Sequence, residues 1–241
     1  MFFQEACPLR LADFDRNGNL SLEGILQILE TAGTHHADSV GDHLIEGSQA
    51  GIAWILTEWR VQIVRPTDTR EKLTITTWSY DNTPQGPVQR GIVITGEGND
   101  DVIRAEAKFV LLNMETGRLT RISEELYNAY QPEKRVVFED QKGRIPEPAA
   151  FDLEREVPLR KSDIDYNGHM HNTRYMEFAA EVLPVSSDDG ERISEFRVIY
   201  RRAVQGTSPV TVKRCDTENG YLVCIYQEEK LCTMAEIRKG A

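Results

Sequence analysis

The chain has 241 residues, with 28 Lys or Arg against 39 Asp or Glu, so its formal net charge is −11. This length permits one large domain or two of about 100–150 residues each, and a composition of 40% hydrophobic and 28% charged residues excludes a disordered chain. The acidity argues against a nucleic-acid-binding protein, and no apolar run or N-terminal pattern predicts a membrane span or a secretory signal.

The first half of the chain shows one helical segment followed by four strand-like segments. Apolar residues recur at helical spacing over about 20–37. Alternating or β-branched runs, bounded by Gly, Pro, Asn and Asp, predict strands at 54–64, 73–80, 88–95 and 102–112. Residues 123–150 contain three prolines and are predicted to be a linker, partly helical around 124–130.

The second half repeats this order after the linker. A shorter helical segment follows residue 172 and ends before Pro184, which cannot continue a helix. Strands are then predicted at 193–201, 210–215, 221–226 and 231–237. Each half therefore has the order strand, loop, helix and about four strands, which predicts a duplicated α+β unit with domains at 1–122 and 151–241.

A motif supports this duplication directly. Residues 10–18 read RLADFDRNG and residues 160–168 read RKSDIDYNG, so both fit R-x-x-D-x-D-x-N-G. The motif resembles the start of a calcium-binding loop, which needs a bidentate Glu at about its twelfth position. Gly24 and Arg174 occupy that position here. Neither copy is therefore predicted to bind calcium, and His169 with His171 lacks a third metal ligand in the nearby sequence.

The second copy carries groups that can do chemistry. Asp165, Asn167 and His169 alternate, so their side chains are expected on one side of an extended stretch. A base and an orienting amide are what ester or thioester hydrolysis requires, and free backbone N–H groups near Gly168 and His169 are expected to hold the oxyanion. The competing interpretation is that Asp and Asn only form turns and caps. We favour it for the first copy, which has Asn19 in the place of His169.

The same region resembles the acyl-acyl carrier protein (acyl-ACP) thioesterases. Residues 160–175 resemble the family signature Asp-x-Asp-x-Asn-x-His-x-x-Asn-x-x-Tyr. Residues 73–78 are similar to a family strand that ends in Thr-Trp, and residues 107–122 to the end of its first domain. Residues 200–202, Tyr-Arg-Arg, are similar to the strand that leads to the family's last catalytic position. The likeness spans nearly the whole chain.

The resemblance implies an α+β fold of two tandem hotdog domains, each a long helix wrapped by an antiparallel sheet, with the sheets joined side by side. It implies hydrolysis of acyl-ACP to free fatty acid and carrier thiol, with Asp165, Asn167 and His169 in the catalytic site and no metal or cofactor. The acyl chain is expected in the first domain. Its candidate walls, for which a plain core role is an equal alternative, are Leu22, Ile25, Leu26, Leu29, Trp54 and Trp78.

One departure from the family leaves the function open. Plant members carry Glu-Cys after Tyr-Arg-Arg, where this chain has Ala203 and Val204. Either Asp165 with His169 activates water unaided, or another group such as Gln205 or a first-half residue fills the gap. An acyl-CoA thioesterase using the same residues and a non-catalytic acyl-binding protein are the alternative functions.

The predicted partner is acyl carrier protein, which is itself acidic and needs local positive charge to dock. The predicted docking residues are Arg160, Lys161, Arg197, Arg201 and Arg202, with Lys213 and Arg214 as further candidates. Four cysteines without CxxC spacing predict free thiols in a reducing compartment, hence the cytoplasm. A homodimer is compatible with the sequence, which does not specify the oligomeric state or the acyl chain length.

Overall fold

The computed structural model describes residues 1–49, 51–81, 87–184 and 192–240. The chain divides into two compact units. The first comprises Met1–Leu11 and Gln27–Gln141, and the second comprises Ala12–Leu26 and Lys142–Ala241. The boundary falls inside helix α1 (Leu22–Ser39), so the first copy of the motif is grouped with the second unit.

The first unit is an antiparallel sheet with the order β1-β3-β4-β5-β2, and β6 pairs with β5. Its strands are β1 (Phe3–Ala6), β2 (Ile52–Ile63), β3 (Thr74–Ser79), β4 (Val88–Thr95), β5 (Asp101–Asn113) and β6 (Arg118–Thr120). Two short helices, α2 (Leu44–Gln49) and α3 (Glu124–Ala129), accompany α1. The four predicted strands and the helix of the linker are confirmed, whereas α2 and β6 were not predicted because six and three residues carry too little pattern.

One face of this sheet packs against α1. Arg90 of β4 lies opposite Ser79 in the register, so its side chain is on the same face as that of Thr77. Arg90 Nη1 is 2.7 Å from His36 Nδ1 of α1 and donates to Thr77 Oγ1 at 3.2 Å. These contacts identify the helix-facing side of the sheet.

The opposite face is covered by the chain that follows α3. Trp78 alternates with Thr77 and therefore points away from α1. Its Nε1 donates to the Arg135 carbonyl oxygen at 2.8 Å, and it packs with Tyr80. Gly91 lies beneath the indole, where a Cβ atom would be only 2.7 Å from ring carbons of Trp78, so a larger residue there would displace the ring.

The second unit is also an antiparallel sheet, with the order β8-β11-β10-β9-β7. Its strands are β7 (Leu153–Val157), β8 (Ile193–Tyr200), β9 (Val210–Thr217), β10 (Gly220–Gln227) and β11 (Lys230–Lys239). Helix α4 (Arg174–Ala180) contacts β10 and β11. The predicted strands are confirmed, and β1 and β7 are the strands expected ahead of the two motif copies. Among the helices of the described residues, none is long and apolar enough to cross a membrane.

Candidate active site

The second copy of the motif begins with a buried aspartate. Asp163 ends a 3-10 turn (Lys161–Asp163) and is 0% exposed. Its carboxylate accepts the Arg160 backbone N–H at 2.7 Å and the Arg160 Nε–H at 3.0 Å. Its carbonyl oxygen accepts the His171 N–H at 2.9 Å. Because a buried carboxylate needs such partners, we assign Asp163 a structural role: it holds the start of the motif loop in place.

Asp165 shapes the turn that carries the other predicted groups. Its Oδ1 accepts the backbone N–H of Asn167 at 2.8 Å and that of His169 at 3.2 Å. Its own N–H donates to the His169 carbonyl oxygen at 2.7 Å. Gly168 has a φ of +78°, a conformation that glycine adopts without steric cost. A single carboxylate oxygen therefore organises the turn, as Asp side chains commonly do.

The first copy folds into the same turn. Asp15 Oδ1 accepts the N–H groups of Asn17 and Asn19, both at 2.9 Å. The Asp15 N–H donates to the Asn19 carbonyl oxygen at 2.7 Å, and Gly18 has a φ of +77°. The shared residues of the motif thus specify a backbone shape, and that shape does not depend on the histidine.

These hydrogen bonds overturn one expectation. The Gly168 N–H donates to the Asp165 carbonyl oxygen at 3.0 Å, and the His169 N–H donates to Asp165 Oδ1 at 3.2 Å. The prediction that these two N–H groups are free for an oxyanion is therefore wrong. Within the turn, the side-chain amide of Asn167 is a remaining donor that could face a substrate carbonyl.

The side chains of Asn167 and His169 are not used by the fold. Asn167 is exposed, whereas Asp165 and His169 are partly buried. Across the described ranges, neither the Asn167 amide nor the His169 ring takes part in a hydrogen bond with the rest of the chain. A hydrogen-bonded turn therefore presents an amide and an imidazole two positions apart, which is a suitable pair for orienting a carbonyl and accepting a proton.

The segment that carries the family departure lies directly beside this turn. The Met170 N–H donates to the Val204 carbonyl oxygen at 2.9 Å, and His169 forms an isolated antiparallel bridge with Gln205. Val204 is 0% exposed, whereas Ala203 and Gln205 are exposed. Ala203 and Val204, the residues at which this chain departs from the family, therefore lie directly beside His169.

Tyr175, the last residue of the signature, has a role that sequence reasoning did not assign. Its Oη accepts the Val204 N–H at 2.9 Å, and the residue is 2% exposed. Burial raises the pKa of its hydroxyl, so it stays neutral. The ring packs edge-on against Tyr200 with a centroid separation of 5.4 Å. Tyr175 therefore holds the segment around Val204 next to the second copy of the motif.

An ion pair within the second unit connects the two copies. Arg174 Nη1 is 2.7 Å from Glu23 Oε1 and 2.6 Å from Glu177 Oε2. A guanidinium thus stands where a calcium loop needs its final ligand. In the part of the chain that the structure describes, no group of three or more His, Cys, Asp or Glu residues could hold a metal ion.

The predicted docking residues differ in availability. Lys161, Arg201 and Arg202 are exposed, and Arg160 is half-exposed but paired with Asp163 and Glu177. Arg197 is only 5% exposed and donates to the Gly143 carbonyl oxygen at 2.6 Å, so it does not present its charge to a partner. Lys213 is paired with Glu154 at 2.9 Å, and Arg214 donates to the Val182 carbonyl oxygen at 2.6 Å.

The six predicted wall residues do not form one group. Leu22, Ile25 and Leu26 belong to the second unit, and the other three belong to the first. Leu29 is 0% exposed on α1, whereas Trp78 lies on the opposite face of the sheet. A pocket between α1 and this sheet would therefore exclude Trp78. Trp54 is partly buried, and its Nε1 donates to Asp42 Oδ2 at 2.9 Å.

A polar cluster lies on the helix-facing side of the first unit and consists of His36, Asp42, Arg90 and Tyr130. Tyr130 Oη donates to Asp42 Oδ2 at 2.7 Å, and the Arg90 guanidinium carbon lies 5.6 Å from the Tyr130 ring centre. His36 is 0% exposed, and burial together with Arg90 lowers the pKa of His36 to about 3. Its Nε2 has no hydrogen-bond partner in the described structure. No sequence pattern had indicated this cluster, because its members are distant along the chain.

Two family models match the chain. The model described as the acyl-ACP thioesterase N-terminal domain matches residues 1–130, and that of the acyl-ACP thioesterase C-terminal domain matches residues 147–238. Together they cover most of the chain, including both copies of the motif.

Curated plant proteins are related over most of the chain at low identity. Oleoyl-acyl carrier protein thioesterase 1, chloroplastic, from Arabidopsis thaliana is 24% identical over 223 residues, covering 84% of this chain and 60% of the plant protein. Palmitoyl-acyl carrier protein thioesterase, chloroplastic, from Gossypium hirsutum is 24% identical over 260 residues, covering 100% of this chain and 63% of the plant protein. The chain therefore spans about three-fifths of the length of these relatives.

Solved structures share the fold. A 12:0-ACP thioesterase from Umbellularia californica matches with a TM-score of 0.87 at 18% identity, covering 99% of this chain and 97% of that one. An acyl-ACP thioesterase from Bacteroides thetaiotaomicron matches with a TM-score of 0.87 at 16% identity, covering 99% and 98%. The predicted α+β hotdog class is confirmed, and because the two family models together cover far more than half of the sequence, the chain belongs to the acyl-ACP thioesterase family.

Proposed function

We propose that this protein hydrolyses acyl-ACP thioesters to free fatty acid and the carrier thiol. The observation that carries the proposal is the turn of the second copy, which holds the backbone of Asn167 and His169 by hydrogen bonds, while neither side chain bonds to the rest of the described residues. Membership of the acyl-ACP thioesterase family and the names of the plant relatives support the choice of substrate.

The proposed reaction uses one base and one donor. His169 takes a proton from water as the water oxygen attacks the thioester carbonyl, and Asn167 donates a hydrogen bond to the carbonyl oxygen. The carbon–sulfur bond then breaks, and the proton on His169 passes to the leaving thiolate. Asp165 acts through the backbone, because its Oδ1 holds the N–H groups of both neighbours. Water and thioester become carboxylic acid and thiol, with no other reactant.

The direct test is to incubate the purified protein with acyl-ACP substrates of several chain lengths and to measure free fatty acid by mass spectrometry. We expect turnover on at least one chain length, and a loss of about 100-fold or more in kcat for His169→Ala or Asn167→Ala. Absence of turnover on every chain length would refute the proposed activity.

The first copy supplies matched control variants. Asn17→Ala and Asn19→Ala change the same positions of an equivalent turn that lacks the imidazole. We expect both to keep wild-type kcat. If they lose activity as severely as the second-copy variants, the assignment of chemistry to the second copy alone is wrong.

A second function, acyl binding without hydrolysis, is favoured by one specific observation. Ala203 and Val204 occupy the place beside His169 where neither can transfer a proton. Fatty acid binding measured by calorimetry, with no turnover and no gain for Ala203→Glu, would select this function. Parallel assays on acyl-CoA substrates, compared by kcat/KM with acyl-ACP of the same chain length, separate the remaining alternative of a CoA thioesterase.

The docking and location of the protein complete the proposal. Lys161, Arg201 and Arg202 are the exposed cations that we propose meet the acidic carrier. All four cysteines are free thiols, which supports a reducing compartment such as the cytoplasm.

A further inference from the structure

Gln205 occupies a defined position opposite His169. The two residues form an antiparallel bridge, and the neighbouring Met170 N–H donates to the Val204 carbonyl oxygen at 2.9 Å. This pattern makes His169 and Gln205 a directly opposed pair, whose side chains project from the same face with Cβ atoms roughly 4.5–5.5 Å apart. The burial of the residue before Gln205 agrees, because Val204 points inward and Gln205 outward.

Several hydrogen bonds hold the backbone of Gln205 at this position. Its N–H donates to Gln227 Oε1 at 3.0 Å, and its carbonyl oxygen accepts Gln227 Nε2–H at 2.8 Å. The N–H of Val204 is held by the buried Tyr175 hydroxyl at 2.9 Å. In the described ranges these bonds engage only the backbone of Gln205, so its side-chain amide is left to face the histidine.

The role of this pair follows from the residues beside it, because Ala203 and Val204 stand where plant members of the family have Glu and Cys. An imidazole that acts as a base must have the correct ring nitrogen free, and a hydrogen bond to the other nitrogen selects that tautomer. The methyl group of Ala203 and the buried side chain of Val204 cannot form such a bond. The Gln205 amide carbonyl can accept it, and, being uncharged, it leaves the proton transfer to His169.

We propose that Gln205 is a positioning residue for His169. It orients the ring and its tautomer from the opposing strand, so that hydrolysis proceeds with one ionisable base and no catalytic carboxylate from this segment. This inference rests on the proposed thioester hydrolysis. Asp165 is the ionisable side chain in contact with the His169 backbone, and Tyr175 is the buried hydroxyl behind Val204.

Two variants of Gln205 test the proposal. Gln205→Ala should lower kcat about tenfold while leaving KM for acyl-ACP within about twofold, because the substrate is bound but the base is misoriented. Gln205→Glu places a carboxylate beside the imidazole, which raises the pKa of His169. Since the neutral imidazole is the active form, the acid limb of the kcat/KM profile should move to higher pH by about one unit.

The exposed Thr207, two residues further along, supplies the charge control. Thr207→Glu adds the same charge outside the bridged pair of His169 and Gln205, so it should move the profile less than Gln205→Glu does. Titration of the His169 ring by NMR, assigned with His169→Asn, measures the pKa without any activity. A Gln205→Glu shift no larger than that of Thr207→Glu, or a Gln205→Ala protein with wild-type kcat, would overturn the inference. Lack of wild-type turnover would instead refute the proposed function, and the NMR titration would still decide whether Gln205 faces His169.

Discussion

The two copies of the motif have the same backbone and different chemistry. Each begins with a buried aspartate, Asp13 at 1% and Asp163 at 0% exposure. Each then closes a turn on one carboxylate oxygen, with a glycine at a φ of +77° or +78°. The copies differ at the end of the turn, where Asn19 corresponds to His169.

This difference teaches what the motif is for. Most of its residues specify a shape, and a functional group is added to that shape by one residue in one copy. The surroundings repeat as well, since Arg10 contacts Gln27 at 3.3 Å where Arg160 contacts Glu177 at 2.8 Å. Similarity between the copies is therefore evidence for folding, and the point of divergence is evidence for function.

Exchange of the divergent residue gives the largest expected effect. His169→Asn gives the second turn the residue that the first turn has at this position, so kcat should fall by about 100-fold or more because the proposed base is lost. The thermal midpoint should stay close to wild type, since Asn19 shows that the turn accepts asparagine. Fatty acid release and differential scanning calorimetry measure the two quantities.

The reciprocal variant is the control. Asn19→His places an imidazole on the first turn, yet it should not restore activity to His169→Asn, because the strand segment that carries Gln205 pairs with His169. Restored turnover in the double variant would mean that the turn alone is sufficient for catalysis.

Much of what the two halves of the chain share could be predicted from the sequence, because strands, helices and the repeat each leave a pattern within a short window. The alternation of β2 to β5 and β8 to β11, the helical spacing of α1 and the repeat itself are contained in short windows. The prediction that the chemistry lies in the second copy rests on the difference between Asn19 and His169. The six-residue helix α2 and the three-residue strand β6 were missed for lack of pattern.

What could not be predicted depends on contacts between distant residues. Arg197 lies between Phe196 and Val198 on β8 and is buried because its guanidinium reaches Gly143, 54 positions earlier. The N–H groups of Gly168 and His169 were expected to be free, but both donate hydrogen bonds to Asp165 within the turn. No local pattern reports which partner a polar group finds, so the structure differs from the prediction at Arg197 and at these two N–H groups.

The buried His36 of the first unit should make the protein lose stability in acid. His36 in the first unit has a folded pKa of about 3 against an ordinary value of 6.5, because of burial and Arg90. Between these values the unfolded chain binds the proton and the folded chain does not, so stability falls as pH falls through this window. From about pH 7 to about pH 5 the loss should be about 2 kcal/mol larger for wild type than for His36→Gln.

Urea unfolding at the two pH values measures this difference. His43→Gln is the matched control, because that histidine is more than half-exposed, with 53% of its side-chain surface accessible. Equal acid losses in wild type and His36→Gln would show that His36 titrates normally in the folded state.

Charge reversal near the second copy should weaken carrier docking. Arg201→Glu combined with Arg202→Glu should raise KM for acyl-ACP about tenfold, with kcat nearly unchanged and a weaker dependence of KM on salt. Arg118→Glu with Arg121→Glu is the control, because these exposed residues belong to the first unit and the net charge changes equally. The same KM increase in both double variants would indicate a general charge effect rather than a docking surface.

The smallest expected effect tests whether the two turns are equivalent in stability. Gly18 and Gly168 both have a positive φ and open space where a Cβ atom would lie, so alanine introduces backbone strain without a collision. Each substitution should therefore reduce the free energy of unfolding by about 1 kcal/mol, and the two reductions should agree because both turns belong to the second unit. Only Gly168→Ala should also lower kcat, since it displaces His169. If the two glycines differ widely in urea unfolding, the turns are not equivalent, and the divergence between the copies extends beyond their last residue.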